Sequence, residues 1–151
     1  NLMDLATFCG IPKDNLIFPN QIDLRYGFEQ HDMAAFYSTM DVLLATSYGE
    51  GFGVPTVEAQ ACGTRVIGSN WAATQDLVSE DSWLVDGQPQ WDAGQDSIWQ
   101  VPSVPSIVEA LEQAYQAERG PSKTAIEFAS QFDVETVWDK HWVPVLNKLL
   151  K

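Results

Sequence analysis

Two glutamates eight positions apart, Glu50 and Glu58, frame glycines at 49, 51 and 53 and a proline at 55. Glycine lets a backbone turn sharply and brings its amides close to a ligand, because no Cβ stands in the way. Pro55 suits the first turn of a helix, where its missing N–H would find no partner anyway. The unpaired amides and the dipole of such a helix start favour an anion, above all a phosphate. Two carboxylates beside a phosphate would repel it, so they need a role of their own. They make sense as acceptors of hydrogen bonds from hydroxyls, and a sugar or a ribose offers vicinal diols. Glu58, in the first turns of the helix, is placed to reach a ribose. Glu50, in the loop, is placed to reach a hexose.

The elements around this loop follow from the apolar pattern. Residues 41–46 form an apolar run of strand length, 54–62 a helix ending near Gly63, and 64–68 a second strand. Open α/β sheets bind ligands where strands end and such loops begin. Upstream, the pattern predicts a helix over 2–9 closed by Gly10, a strand over 15–18, and an irregular link over 19–28. A helix over 30–40 follows, with Met33, Phe36, Tyr37 and Met40 on one face. Downstream come a short helix over 73–78 and a strand over 83–85. Residues 86–105, which hold Trp91, Trp99 and three prolines, read as a long ordered loop or insertion. Helices over 106–119, 121–131 and 133–150 close the chain, the last capped by Asp133. Its stripe of Val137, Trp138, His141, Trp142, Val145 and Leu149 is expected to be partly exposed. Alternating strands and helices imply a parallel sheet.

The stretch from Glu50 to Thr64 resembles the signature of retaining glycosyltransferases of the GT-B fold, family 4, glycosyl transferases group 1. Glu50 and Glu58 have its spacing; Gly51-Phe52-Gly53, Glu58-Ala59 and Ala61-Cys62-Gly63-Thr64 supply the rest. The order of helices and strands on both sides is also similar to the last part of such an enzyme. A dinucleotide fingerprint fails, because Val54 stands where its third glycine should be. The resemblance implies that Glu50 binds donor-sugar hydroxyls as the catalytic glutamate. It implies that Gly51, Phe52 and Gly53 position the sugar, that amides near Val54 and Thr56 face the diphosphate, and that Glu58 holds the ribose. Arg65 departs from the pattern where many relatives carry proline, and Gln60 where methionine is common; neither falls on a ligand-contacting position.

The fold expected is α/β: a truncated Rossmann-like C-terminal domain of a GT-B enzyme. About four parallel strands, flanking helices and a C-terminal helical segment would compose it. Residues 1–151 then make a partial donor-binding domain, with the N-terminal acceptor domain absent. Strand 15–18 would pair beside 41–46, or two copies would join as a homodimer through the exposed sheet edge. Relatives also place an arginine and a lysine over the diphosphate from an earlier segment, and no Gly-Arg…Lys-Gly segment matches here. By resemblance, the full enzyme transfers a hexose from a nucleoside diphosphate sugar to an acceptor hydroxyl with retention, using no metal and no cofactor beyond the donor substrate. The partner expected is the missing domain or a chain that replaces it, and the isolated chain is expected to be inactive. The alternative is a non-catalytic nucleotide-sugar-binding or subunit-interaction module.

Composition narrows the field further. The net charge of −13 in 151 residues argues against nucleic acid and anionic membranes as partners. No apolar run approaches the ~20 residues of a transmembrane segment. Cys9 and Cys62 make no disulfide framework, which suits a reducing cytoplasmic setting, and both read as small buried residues. Most of the six tryptophans read as packing residues, with Trp91 and Trp99 as the pair able to line a cleft. His31 and His141 read as helix residues without a catalytic partner.

Overall fold

A computed structural model describes residues 2–150, which fall into two compact units divided between Met33 and Ala34. The first unit holds helix α1 (Leu2–Phe8), a 3-10 turn (Lys13–Asn15), helix α2 (Gln21–Tyr26) and the start of helix α3 (Gln30–Ser38). The expected strand at 15–18 does not form. Leu16 is extended (φ −120°, ψ 122°), but 16–18 join no ladder, and Ile17 is 95% exposed. Extended residues flanked by Pro12 and Pro19 become a strand only if a partner takes their backbone hydrogen bonds. The expected irregular link contains α2, because the Asn20 side chain accepts from the Ile22 amide and caps a helix there. Cys9 is exposed, not buried.

The second unit carries the sheet. Strands β1 (Val42–Ala45), β2 (Arg65–Ser69) and β3 (Trp83–Val85) pair in parallel in that order, with Leu44 opposite Ile67 and Gly68 opposite Leu84. The sheet thus has three strands rather than about four, and β1 lies at its edge. Helix α4 (Val54–Ala61) crosses from β1 to β2. The link from β2 to β3 contains a 3-10 turn (Ala72–Asp76). Helix α5 (Val104–Gln116) packs on β2 and β3, where Ile67, Val85 and Ala110 form a buried cluster with Val42, Trp83, Ile107 and Ala114 around it. Helix α6 (Lys123–Ser130) packs on α4 through its buried Ala125 and Ala129 side.

Residues 87–102 correct the sequence expectation most. They form an antiparallel hairpin of β4 (Gly87–Asp92) and β5 (Ser97–Pro102), not a loop. Its prolines stand at Pro89 inside an edge strand and at Pro102 on the last residue of another, where a missing N–H costs little. No tryptophan is fully buried; Trp91, Trp138 and Trp142 are exposed. The expected 133–150 helix is present in three parts: α7 (Val134–Val137), a π-helical turn (Trp138–Trp142) and α8 (Val143–Leu149). Asp133 caps it as expected, accepting from the amides of Glu135 and Thr136.

Gln60 and Arg65, which depart from the pattern the motif resembles, are both tied into the fold. Gln60 is fully buried with every polar atom paired. Its amide nitrogen donates to the Thr56 carbonyl at 2.8 Å and the Leu77 carbonyl at 2.7 Å, and its oxygen accepts from the Ser79 amide at 2.7 Å. Arg65 donates through Nε to Asp81 at 3.0 Å and through Nη1 to the Glu118 carbonyl at 3.1 Å. Burial works to raise the Asp81 carboxyl, yet hydrogen bonds from Ser122, Ser79 and Arg65 and the Arg65 charge hold it below the usual carboxylate value. Replacing the side-chain amide by a thioether, Gln60→Met, strands the Leu77 carbonyl and the Ser79 amide. Urea unfolding is expected to show a loss of about 1–3 kcal/mol; unchanged stability would mean these groups find other partners.

Candidate functional site

The motif loop leaves the C-terminal end of β1 and is anchored before it reaches the glycines. Ser69 at the end of β2 donates its hydroxyl to the Ser47 carbonyl, and the Gln100 amide of β5 donates to the Tyr48 carbonyl at 2.9 Å. Tyr48 also meets Trp99 edge-on, with ring centroids 6.4 Å apart. The hairpin therefore braces the start of the loop. Trp99 acts through this packing.

Beyond Tyr48 the loop turns into α4. Gly53 takes a left-handed conformation (φ 88°) and stands before the first helical residue, with Pro55 in the first turn. A side chain at that φ would be strained, which is the physical reason for glycine here. None of the amides of Gly51, Phe52, Gly53 and Val54 donates to a described residue. The Thr56 amide differs from expectation: it donates to the Gly53 carbonyl at 3.0 Å, and its side chain is buried. Thr56 thus closes the capping turn, and the free amides lie before it. At the other end, the Thr64 amide reaches the Ala59 carbonyl and the Gly63 amide reaches the Gln60 carbonyl, each at 2.9 Å. Gly63 has φ 84°, so α4 closes in a Schellman motif on the expected glycine.

With Thr56, Ala59 and Gln60 turned inward, Val54, Val57 and Glu58 turn outward. They line a cleft of about 710 Å³ with Phe52. Its other wall comes from Gln131, Phe132, Val137, Lys140 and His141. Phe52 meets Phe132 edge-on at 5.7 Å, and Phe132 meets Phe128 at 5.8 Å, so the loop is held against the end of α6. Of the expected site residues, Phe52, Val54 and Glu58 share this cleft. Glu50 is exposed, its Cβ and Cγ lying over Gly53, and makes no hydrogen bond or ion pair with a described residue. A smaller pocket of about 180 Å³ lies at the opposite, N-terminal end of the strands, around Asp41, Arg65 and Trp83.

Glu58 is not loose in the cleft. The buried Tyr37 of α3 donates its hydroxyl to Glu58 Oε2 at 3.1 Å. Tyr37 is itself held, because the Thr64 hydroxyl donates to its carbonyl at 2.7 Å. One carboxylate oxygen is thereby oriented, and Oε1 keeps its acceptor capacity for a ligand hydroxyl. Sequence reasoning missed Tyr37 as a partner of Glu58 and missed Lys140; it read His141 only as a helix residue without a catalytic partner, and the structure places it in the cleft lining. The available signal for Lys140 and His141 was a Lys-His pair in a strongly acidic chain, set in the stripe between Trp138 and Trp142.

Residues 13–101 match the family described as glycosyl transferases group 1, and the chain belongs to it. Its parallel sheet and flanking helices are those of a Rossmann-like GT-B C-terminal domain. Among similar proteins is a D-inositol 3-phosphate glycosyltransferase of Mycobacterium ulcerans, 36% identical over 103 residues, covering 64% of this chain and 20% of that protein. The protein of the same description from Rhodococcus opacus is 36% identical over 88 residues, 57% of this chain and 18% of that one. Its counterpart in Xylanimonas cellulosilytica is 34% identical over 85 residues, 55% and 19% respectively. The chain spans about a fifth of the length of these relatives. No helix among the described residues is long and apolar enough to cross a membrane.

Burial, and then the hydrogen bond and charge of Glu58, push the Tyr37 phenol up to about 12. The stabilisation linked to this shift is fully present below about pH 10, the value of a free phenol, and is lost as pH rises towards about 12. An absorbance titration of the folded chain is expected to show a tyrosine step near pH 12 that Tyr37→Phe abolishes. If Tyr37→Phe removed no step there, the raised phenol would not be that of Tyr37.

Proposed function

We propose that this chain forms the donor side of a glycosyltransferase that takes a hexose from a nucleoside diphosphate sugar and passes it, with retention, to an acceptor hydroxyl. The observation that carries the proposal is the pairing of unengaged amides at Gly51–Val54 with an oriented Glu58 in the adjoining cleft. The amides and the start of α4 suit the diphosphate. The free oxygen of Glu58 suits a ribose hydroxyl, and Glu50, exposed in the loop, suits a hydroxyl of the transferred sugar. Thr56 contributes by closing the turn that presents the amides rather than by contact.

In this reading the rate comes from positioning the donor and stabilising charge on the departing diphosphate. No metal is required, since amide dipoles and side chains supply the positive potential. The acceptor side belongs to a further domain or a partner chain, and this chain alone turns over no donor. The relatives are described as D-inositol 3-phosphate glycosyltransferases. A reducing, cytoplasmic setting fits the free Cys9 and Cys62.

The test is a titration with UDP-, GDP- and ADP-sugars followed by NMR shifts of Gly51, Gly53 and Glu58. One nucleotide is expected to move these signals, and Glu58→Ala to weaken its binding by about 1.5–3 kcal/mol. The absence of shifts at millimolar donor, or full affinity in the Glu58→Ala variant, would overturn the reading.

A further inference from the structure

A nucleoside diphosphate brings a concentrated negative charge to a chain whose net charge is −13. Amides offer only partial charges against it. Full positive charge must come from side chains, and the fold leaves few of them available in the second unit. Arg65 is committed to Asp81. Among the described residues Lys140 is the one Lys or Arg side chain lining the cleft, and His141 lines it beside Lys140.

Three features set this pair apart. Neither side chain makes an ion pair or hydrogen bond with a described residue, although Asp139 and Glu135 lie on the same helical stretch. Among the described residues the only carboxylate lining the cleft is Glu58, which already accepts from Tyr37. The turn that carries the pair is π-helical: the Val143 amide donates to the Trp138 carbonyl, five residues back. Such turns are rare inside α-helices and recur at functional sites, because the wider turn re-aims side chains at a cost in backbone geometry. Here two successive residues both reach the cleft that Phe52 and Val54 line from the motif side.

We propose that Lys140 and His141 hold the diphosphate of the donor from across the cleft, facing the Gly51–Val54 amides. The inference rests on the nucleotide-sugar reading above and adds to it the cations that the motif does not contain. Lysine serves as a mobile point charge for a phosphate, and histidine as an N–H donor to it.

Calorimetry on the whole chain tests this with three probes: pyrophosphate, the nucleoside diphosphates UDP, GDP and ADP, and their nucleosides. Lys140→Ala is expected to weaken diphosphate and pyrophosphate binding about tenfold or more and to leave nucleoside binding unchanged. His141→Gln is expected to weaken the same two probes less, and Lys140→Arg to keep most of the affinity. Lys148→Ala, on the same helical stretch but outside the cleft, controls for loss of charge alone. Circular dichroism checks that each variant is folded. Diphosphate and pyrophosphate affinities unchanged in the Lys140→Ala, His141→Gln double variant would overturn the inference, as would an equal loss in Lys148→Ala. Nucleotide binding that depends on Glu58 and not on Lys140 would defeat this inference alone. Pyrophosphate binding that depends on Lys140, without any nucleotide binding, would uphold the anion site and defeat the nucleotide reading. No binding of any probe would defeat both.

Discussion

Helix α4 is eight residues long and buries one side completely, and that single constraint decides where the motif points. Thr56, Ala59 and Gln60 face the interior, so Val54, Val57 and Glu58 have no direction left but the cleft. The buried amide of Gln60 makes the orientation specific. A helix held only by apolar contacts could rotate slightly at small cost, whereas Gln60 must meet the Leu77 carbonyl and the Ser79 amide together. Glycines at both ends release the backbone from this rigid piece: Gly53 turns the loop into it and Gly63 turns the chain out of it.

Around this helix the other elements act as braces. Tyr37 reaches from α3 to orient Glu58, and Thr64 at the foot of β2 holds Tyr37. Phe132 supports Phe52 from beyond α6, and the β4–β5 hairpin supports Tyr48. The anchors come from four separate stretches of chain, each placed by the sheet or by α4 itself. Arg65 and Asp81 extend the same logic at the opposite end of the strands, where Asp81, just before β3, pairs with Arg65 of β2 and accepts from Ser79 beside it and from Ser122 at the start of α6.

The errors of sequence reading share a cause. Residues 15–18 have strand composition but no ladder partner among the described residues, and composition does not supply one. Residues 87–102 were obscured by their prolines and polar side chains. They form a hairpin because the two segments satisfy each other's backbone groups in register from Gly87–Pro102 to Asp92–Ser97. Pairing is a property of two segments at once, so each alone carries little sign of it. The same holds for Lys140 and His141, which take on meaning only opposite Phe52 and Val54.

The sequence by itself determined the local events: strand, glycine turn, proline-started helix, glycine stop and second strand, together with the two glutamates at their spacing. Each depends on φ/ψ preferences and apolar periodicity within a few residues, which a linear pattern records fully. Family membership followed from the same short stretch. Only the tertiary structure decided which polar atoms remain unspent. Glu58 gained Tyr37, and Lys140 and His141 came to the cleft without partners among the described residues. Hydrogen-bond capacity is shared among whatever groups the fold brings together, so what is left over for a ligand is known only once the chain has folded.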